Sequence, residues 1–379
     1  LKAPHDDLFG APTPDRGAPW QPSPGEGRRI VMLGGSGFLG GPLARRLLEL
    51  GYDVDVVDDR REFGAELVPR SEGLRNVSEN QFFGSPRHWL KDAAALVHLR
   101  WRGIARPVPL SEEDEEEHNV VPTRRALAVS RDIPVLFASS AGALYSDAVC
   151  AGTGAHEDDP VEAVRAYGRA KLRAEALVLQ HGRGRPGPHG STQRRGPGGL
   201  VFRPANPYGP GQAADARCGV VGTFLTRVSQ DRSIALYGDG GVERDFVYVD
   251  DLADVFVRGL DAAFEGRQRI YNVGGGEATS LASLLEIVER VVGRRARVER
   301  LPPRQGDRRR VFVDVSRAQE ELGWEPSTGL REGIERTWFA LADIRRTSVG
   351  PLSRSAPALP ALAPASSVSA PRIAVDGTR

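Results

Sequence analysis

Ile30-Val31-Met32-Leu33-Gly34-Gly35-Ser36-Gly37-Phe38-Leu39-Gly40 is an apolar run that stops in glycines and continues into a helical pattern. The apolar residues predict a buried strand. The glycines predict a tight turn, because positive φ is cheap without a Cβ and a pyrophosphate can then approach the backbone N–H groups. Gly34, Gly37 and Gly40 spell G-x-x-G-x-x-G, while Gly35, Gly37 and Gly40 also fit G-x-G-x-x-G. Alone the pattern is weak, and its context carries the weight. A helix follows from Pro42 to Leu50, with Leu43, Leu47, Leu48 and Leu50 apolar, and a second strand, Tyr52 to Val57, ends in Asp58.

Asp58 stands 18 residues beyond Gly40, where a carboxylate accepts hydrogen bonds from adenosine ribose hydroxyls. It favours NAD and repels the 2′-phosphate of NADP, although Arg60 and Arg61 follow at once and partly offset the repulsion. The plainer alternative is that Asp58 only ends a strand.

The 379 residues suffice for one large α/β domain plus a smaller lobe, and 40% apolar content is ordinary for a globular chain. A net charge of +1 supplies no basic field for nucleic acid, and no apolar run reaches bilayer-spanning length. Cys150 and Cys218 lack metal-ligand spacing, and no secretory leader is read, so no metal site and a reducing cytoplasm are expected. Residues 1–28, rich in Pro, Gly and Asp, read as a disordered leader; residues 345–379, rich in Ala, Pro and Ser, read as a disordered tail.

Between these ends the chain alternates strand and helix patterns. Phe63 to Leu90 has no assignable period, though Phe82, Phe83 and Trp89 are expected in the core. Leu96-Val97-His98-Leu99 reads as a strand, and Ser111 opens a helix to about Ser130. The acids from Glu112 to Glu117 complement the helix dipole, so a solvated helix start is preferred over a metal site. Ile133-Pro134-Val135-Leu136-Phe137-Ala138 is the next strand and leads into Ser139-Ser140. A helix carrying Tyr167 and Lys171 follows, then a Gly/Arg/Pro-rich loop from His181 to Gly199, and Leu200-Val201-Phe202-Arg203 resumes the sheet.

Tyr167 and Lys171 are four apart and share one helix face. A lysine so placed lowers the phenol's pKa from about 10 toward the working range. The phenol can then exchange a proton with a sugar hydroxyl while a nicotinamide exchanges hydride. Ser140, at the carboxyl end of a strand where open α/β sheets bind ligands, would hydrogen-bond the same oxygen. Its plainer alternative is a turn serine.

The chain resembles the extended short-chain dehydrogenase/reductase family, in the NAD-dependent nucleotide-sugar epimerase/dehydratase branch typified by UDP-glucose 4-epimerase. The resemblance spans about Arg29 to Ala342. It rests on the glycine turn, Asp58, His98-Leu99, Asn119, Ser139-Ser140 through Tyr145, Tyr167 and Lys171, and Arg203-Pro204-Ala205-Asn206-Pro207-Tyr208-Gly209-Pro210-Gly211. Further on it includes Gly238-Asp239-Gly240, Arg244-Asp245-Phe246, Tyr271-Asn272-Val273-Gly274, Arg304-Gln305-Gly306-Asp307 and Leu322-Gly323-Trp324.

The implied fold is α/β: a Rossmann-type doubly wound parallel sheet over residues 29–205, with 240–262 returning to it, and a smaller C-terminal substrate-binding α/β lobe from 206–239 and 263–344. The implied cofactor is NAD, held by Gly34, Gly37, Phe38, Leu39, Asp58, His98, Asn119, Tyr167 and Lys171. Ser140, Tyr167 and Lys171 are the implied catalytic set. Ser140, Asn206, Arg244, Arg304 and Asp307 would hold the nucleotide-sugar, and arginines suit a pyrophosphate because guanidinium binds phosphate oxygens in pairs. Arg203 is expected to support the sheet edge. A homodimer is implied, packed through about Glu115 to Ser130 and Ala166 to Gln180.

The expected activity is C4 epimerisation of a UDP-hexose or UDP-hexuronate through a transient 4-keto sugar. The alternative is NAD(P)H-dependent reduction of a 4-keto-6-deoxy sugar nucleotide. More distant is a non-enzymatic nucleotide-binding protein on the same fold. Three departures from the family pattern stand out. One residue too many separates the serines from Tyr145, which leaves Ser139 and Ser140 both open as the catalytic hydroxyl. Ala141-Gly142 carry no carboxylate for a 4,6-dehydratase. Arg100-Trp101-Arg102 follow His98-Leu99 where the family has small residues, so their bulk either reshapes the pocket or selects an acidic group.

Overall fold

The computed structural model describes residues 23–59, 72–103, 109–181, 196–212, 219–303 and 307–348. Arg60, Arg61 and Arg304, most of the expected leader, nearly all of the expected tail, and most of the 181–199 loop lie outside them. The chain divides into Leu1–Leu341 and Ala342–Arg379, the second represented here only by the last residues of a helix.

β1 (Arg29–Leu33) enters the glycine turn and α1 (Gly40–Glu49), and β2 (Asp53–Val57) lies parallel beside it. The stretch without a sequence period holds β3 (Leu74–Val77), α2 (Glu79–Gly84) and α3 (Pro86–Leu90). These elements are too short to show a period, but α2 starts at a capping box in which Ser78 and Gln81 satisfy each other's backbone amides. β4 (Ala93–His98) pairs with the other side of β1.

The predicted helix from Ser111 is interrupted. α4 (Glu112–Glu115) passes through a π-helical turn, Glu116–Val120, into α5 (Val121–Val129). Pro122 has no N–H to give the carbonyl of His118 four residues back, and that carbonyl instead accepts from Arg100 at 2.7 Å. β5 (Val135–Ala138), α6 (Ala166–His181) and β6 (Gly199–Pro204) follow.

The remaining chain runs β7 (Asn206–Tyr208), α7 (Val220–Ser229), β8 (Ser233–Tyr237), β9 (Glu243–Tyr248) and α8 (Val249–Phe264). After these come β10 (Gln268–Val273), β11 (Ala278–Ser280), α9 (Leu281–Val292), β12 (Arg297–Leu301), β13 (Arg310–Val311), α10 (Ser316–Leu322) and α11 (Leu330–Ser348).

Among the described residues, seven parallel strands form one sheet in the order β10-β6-β5-β4-β1-β2-β3. Its central strands are buried on both sides, as a parallel sheet with covered faces requires. One face packs with α1, α8 and α10 through Leu43, Phe256 and Leu322; the other packs with α5 and α6 through Leu127, Ala170 and Val178. The strand order reverses between β1 and β4, so their carboxyl ends open the crevice where doubly wound folds bind ligands. β10 joins this sheet beside β6, inside the span that the sequence reading gave to the lobe. The smaller sheets, β11-β9-β13 with β7 on β9, and β12-β8, share a separate core around Phe224, Leu236 and Leu284.

Candidate functional site

Gly34 turns the chain at φ +78°, and a Cβ there would lie 2.6 Å from the backbone of Arg100. A Cβ on Gly40 would lie 2.2 Å from the carbonyl oxygen of Gly35. The turn therefore packs against itself and the exit of β4 too closely for side chains. α1 begins at Leu39 with no side-chain cap, and the N–H groups of Phe38 and Leu39 have no backbone acceptor among the described residues. Such a helix start attracts an anion. Asp58 sits half-buried at the end of β2, with its N–H on the carbonyl of Val77. The N–H of Gly34 bonds the carbonyl of Val57 at 2.8 Å, so turn and acid are held side by side.

His98 ends β4, fully enclosed. Thr123 Oγ1 donates to the carbonyl of Asn119, so it accepts from His98 Nε2 at 2.7 Å, which assigns the proton to Nε2. Nδ1 has no hydrogen-bond partner among the described residues. Burial pushes this imidazole down to about 3, helped by the positive charges of Lys171 and Arg100, so it is neutral. Asn119 uses its amide to clamp the peptide of Arg102, accepting from its N–H at 2.7 Å and donating to its carbonyl at 3.0 Å, and also donates to Glu115.

Tyr167 and Lys171 come from the first turns of α6. Lys171 is 3% exposed, and its Nζ donates to the carbonyl of Ala138 at the end of β5. Nζ lies 5.8 Å from the centre of the Tyr167 ring and 3.8 Å from that of Trp101. Burial pushes the amine down to about 7 against the pull of Glu175 and Glu115. Ser139 is buried and donates to Glu175 Oε1 at 2.5 Å, whereas Ser140, two residues beyond the end of β5, is half-buried.

Behind this group is a buried network that sequence reasoning did not find. Glu175 takes two hydrogen bonds from Arg203, whose Nη1 also donates to Tyr145 Oη, which in turn donates to Asn272. Glu175 stands four residues beyond Lys171 on the same helix face, and that Tyr-Lys-Glu spacing was the available signal. Arg203 is buried on β6, between β5 and β10, and not at a sheet edge.

The expected substrate side chains are less closely gathered. Asn206 donates to the carbonyl of Asp245, and Arg244, half-buried on β9, donates to the carbonyl of its neighbour Glu243 as its one acceptor among the described residues. Burial lowers the pKa of Arg244, with Asp307 opposing. Asp307 is 3.7 Å from Arg165, two residues before Tyr167, at the start of α6. Among the described residues no group of three or more His, Cys, Asp or Glu could hold a metal, and no helix is long and apolar enough to cross a membrane.

A family model described as the NAD dependent epimerase/dehydratase family matches residues 30–274. UDP-glucose 4-epimerase of Mycolicibacterium smegmatis is 32% identical over 82% of this chain and 97% of its own length. dTDP-4-dehydro-6-deoxyglucose reductase of Escherichia coli is 31% identical over 81% of this chain and 95% of its own. Among solved structures, UDP-glucose 4-epimerase of Thermus thermophilus in complex with NAD superposes with a TM-score of 0.69 at 27% identity, covering 83% of this chain and 99% of that one.

Proposed function

The chain belongs to the NAD dependent epimerase/dehydratase family, and from that premise we propose that it is a C4 epimerase of a nucleotide-diphosphate sugar, a UDP-hexose or UDP-hexuronate. The observation that carries this reading is the pairing of Tyr167 with Lys171 on α6, with Lys171 Nζ held on the carbonyl of Ala138, two residues before Ser140. NAD is the family's cofactor. The groups present suit it: the open amides at Phe38 and Leu39 would donate to the pyrophosphate, the Asp58 carboxylate would accept from the ribose hydroxyls, and Lys171 would serve the reacting end. When bound it supplies reversible hydride acceptance at the sugar carbon.

The chain's own groups handle the proton. Tyr167 Oη takes the proton of the 4-hydroxyl and later returns it, while the Lys171 ammonium favours the phenolate. Ser140 Oγ donates to the same sugar oxygen. It is preferred over Ser139, whose hydroxyl is committed to Glu175. Arg244, Arg304 and Asp307 grip the nucleotide, so that binding energy far from C4 orients the sugar in both of its poses.

The activity named for the E. coli relative favours a second reading, reduction of a 4-keto-6-deoxy sugar nucleotide with exchangeable cofactor. Assays of UDP-glucose, UDP-glucuronate and their C4 epimers without added cofactor separate the two, since only an epimerase with resident NAD turns over. The assignment of 206–239 and 263–344 to substrate binding, a cytoplasmic location and a homodimer through 115–130 and 166–180 belong to the same proposal. On that helical face Glu112 already pairs with Arg169 and Arg173. A light-scattering mass of one chain overturns the dimer.

A further inference from the structure

Resting on the roles proposed above for Tyr167 and Lys171, we infer that Trp101 is a positioning residue for Lys171, its indole face serving as the platform that holds the ammonium group beside Tyr167. Nζ sits 3.8 Å from the Trp101 ring centre, and its other close ring, Phe137, is at 4.8 Å. A cation pressed onto an indole face away from water is attracted by the ring's quadrupole. Trp101 and Tyr167 pack perpendicular to each other with ring centres 6.1 Å apart, so one ring neighbours both members of the pair.

The platform is itself fixed. Trp101 Nε1 donates to Glu115 Oε2 at 3.1 Å, and the same oxygen is held by Asn119, which clamps Arg102. Arg100 is committed to both oxygens of Glu79 and to the His118 carbonyl, and Arg102 reaches Glu79 and Asp59. The three-residue segment is thus pinned on either side of the tryptophan. Both arginines are paired within the chain, Arg100 with Glu79 and Arg102 with Glu79 and Asp59. The other groups facing Lys171 are Glu175 from α6, Glu115 from α4, the neutral His98 and the more distant Arg100 from the β4 exit, and the Ala138 carbonyl from β5. Among the described residues the Ala138 carbonyl at 2.7 Å and the Trp101 ring at 3.8 Å lie nearest Nζ, with the Phe137 ring next at 4.8 Å.

The chain makes the test direct, because lysine occurs only at Lys2, Lys91 and Lys171. Protein grown on lysine labelled with carbon-13 at Cε gives three signals, and Lys171→Met identifies the third. The expected wild-type signal of Lys171 is displaced upfield by the indole ring current and titrates near 7. In Trp101→Leu the displacement shrinks to the part that Phe137 leaves, and the midpoint falls by about one pH unit as the charged form loses the indole. The rate kcat/KM at pH 7.5 falls tenfold or more, with KM for the sugar nucleotide within threefold. Trp101→Phe restores a ring face and recovers both the midpoint and the rate to within threefold.

A wild-type Lys171 signal lying with those of Lys2 and Lys91 overturns the inference, whatever the variants do. So does a folded Trp101→Leu with an unchanged Lys171 titration, or a Trp101→Phe that matches Trp101→Leu in the titration. A fully active Tyr167→Phe defeats the proposed catalytic roles instead and leaves the lysine spectrum untouched, so the two claims fail separately.

Discussion

Replacing Glu175 by Leu exposes how the fold supports the crevice. The side chains of Glu175 and Arg203 are each 4% exposed, joined through two hydrogen bonds of 3.0 and 2.7 Å, and Glu175 also accepts from Ser139. Leucine fills most of the space but, among the described residues, leaves the Arg203 cation with only the Tyr145 hydroxyl and strands the Ser139 hydroxyl. An uncompensated buried charge costs about 3–5 kcal/mol, and an unsatisfied buried hydroxyl about 1–3 kcal/mol. Because the two share one carboxylate, a loss of about 4–6 kcal/mol is expected in urea unfolding at pH 7.5. Removing both charges in Glu175→Leu with Arg203→Leu then costs about 3 kcal/mol less than the two single changes added together. A Glu175→Leu protein within about 1 kcal/mol of wild type, or strict additivity in the cycle, refutes the account of this pair.

Three further expectations follow from the same geometry. Gly34→Ala forces a Cβ to φ +78° and to within 2.6 Å of Arg100, which costs at least about 1–2 kcal/mol; the variant should purify with less dinucleotide and a lower melting temperature, and unchanged values of both contradict the turn's reading. His98 is held at about 3 in the folded chain against about 6.5 when unfolded, so the unfolded state binds the extra proton between those values. Its contribution is complete above pH 6.5 and is lost as pH falls toward 3. His98→Gln should therefore flatten the stability slope near pH 5 by about 1.4 kcal/mol per pH unit, and parallel slopes contradict it. Arg244→Met, which removes a half-buried cation whose one acceptor among the described residues is the Glu243 carbonyl, should raise KM for the sugar nucleotide at least tenfold with kcat within threefold. An unchanged KM removes Arg244 from the nucleotide grip.

The parallel sheet was legible from β1 outward because each central strand is an apolar run followed by a recognisable turn, as at Leu33-Gly34 and Ala138-Ser139. β3, α2 and α3 were not, since elements of four to six residues are specified by caps and neighbours rather than period. The break in the helix at Glu116–Val120 was written in Pro122, but its use depends on Arg100 reaching the freed carbonyl from the segment that follows β4. The same limit hid the Glu175–Arg203 pair, whose members are 28 residues apart. It also hid the destination of Trp101, because residue order does not say which ring meets which amine. Spacing within one helix, as for Tyr167 and Lys171, needs no such long-range information.

The most direct test of the central claim is to denature the purified protein, identify any released dinucleotide by mass spectrometry, and assay the native protein on UDP-glucose, UDP-glucuronate and their C4 epimers with no cofactor added. The account predicts released NAD and interconversion of one epimer pair, abolished in a folded Tyr167→Phe protein. Absence of bound dinucleotide, with turnover appearing only when NADPH and a 4-keto sugar nucleotide are supplied, contradicts it.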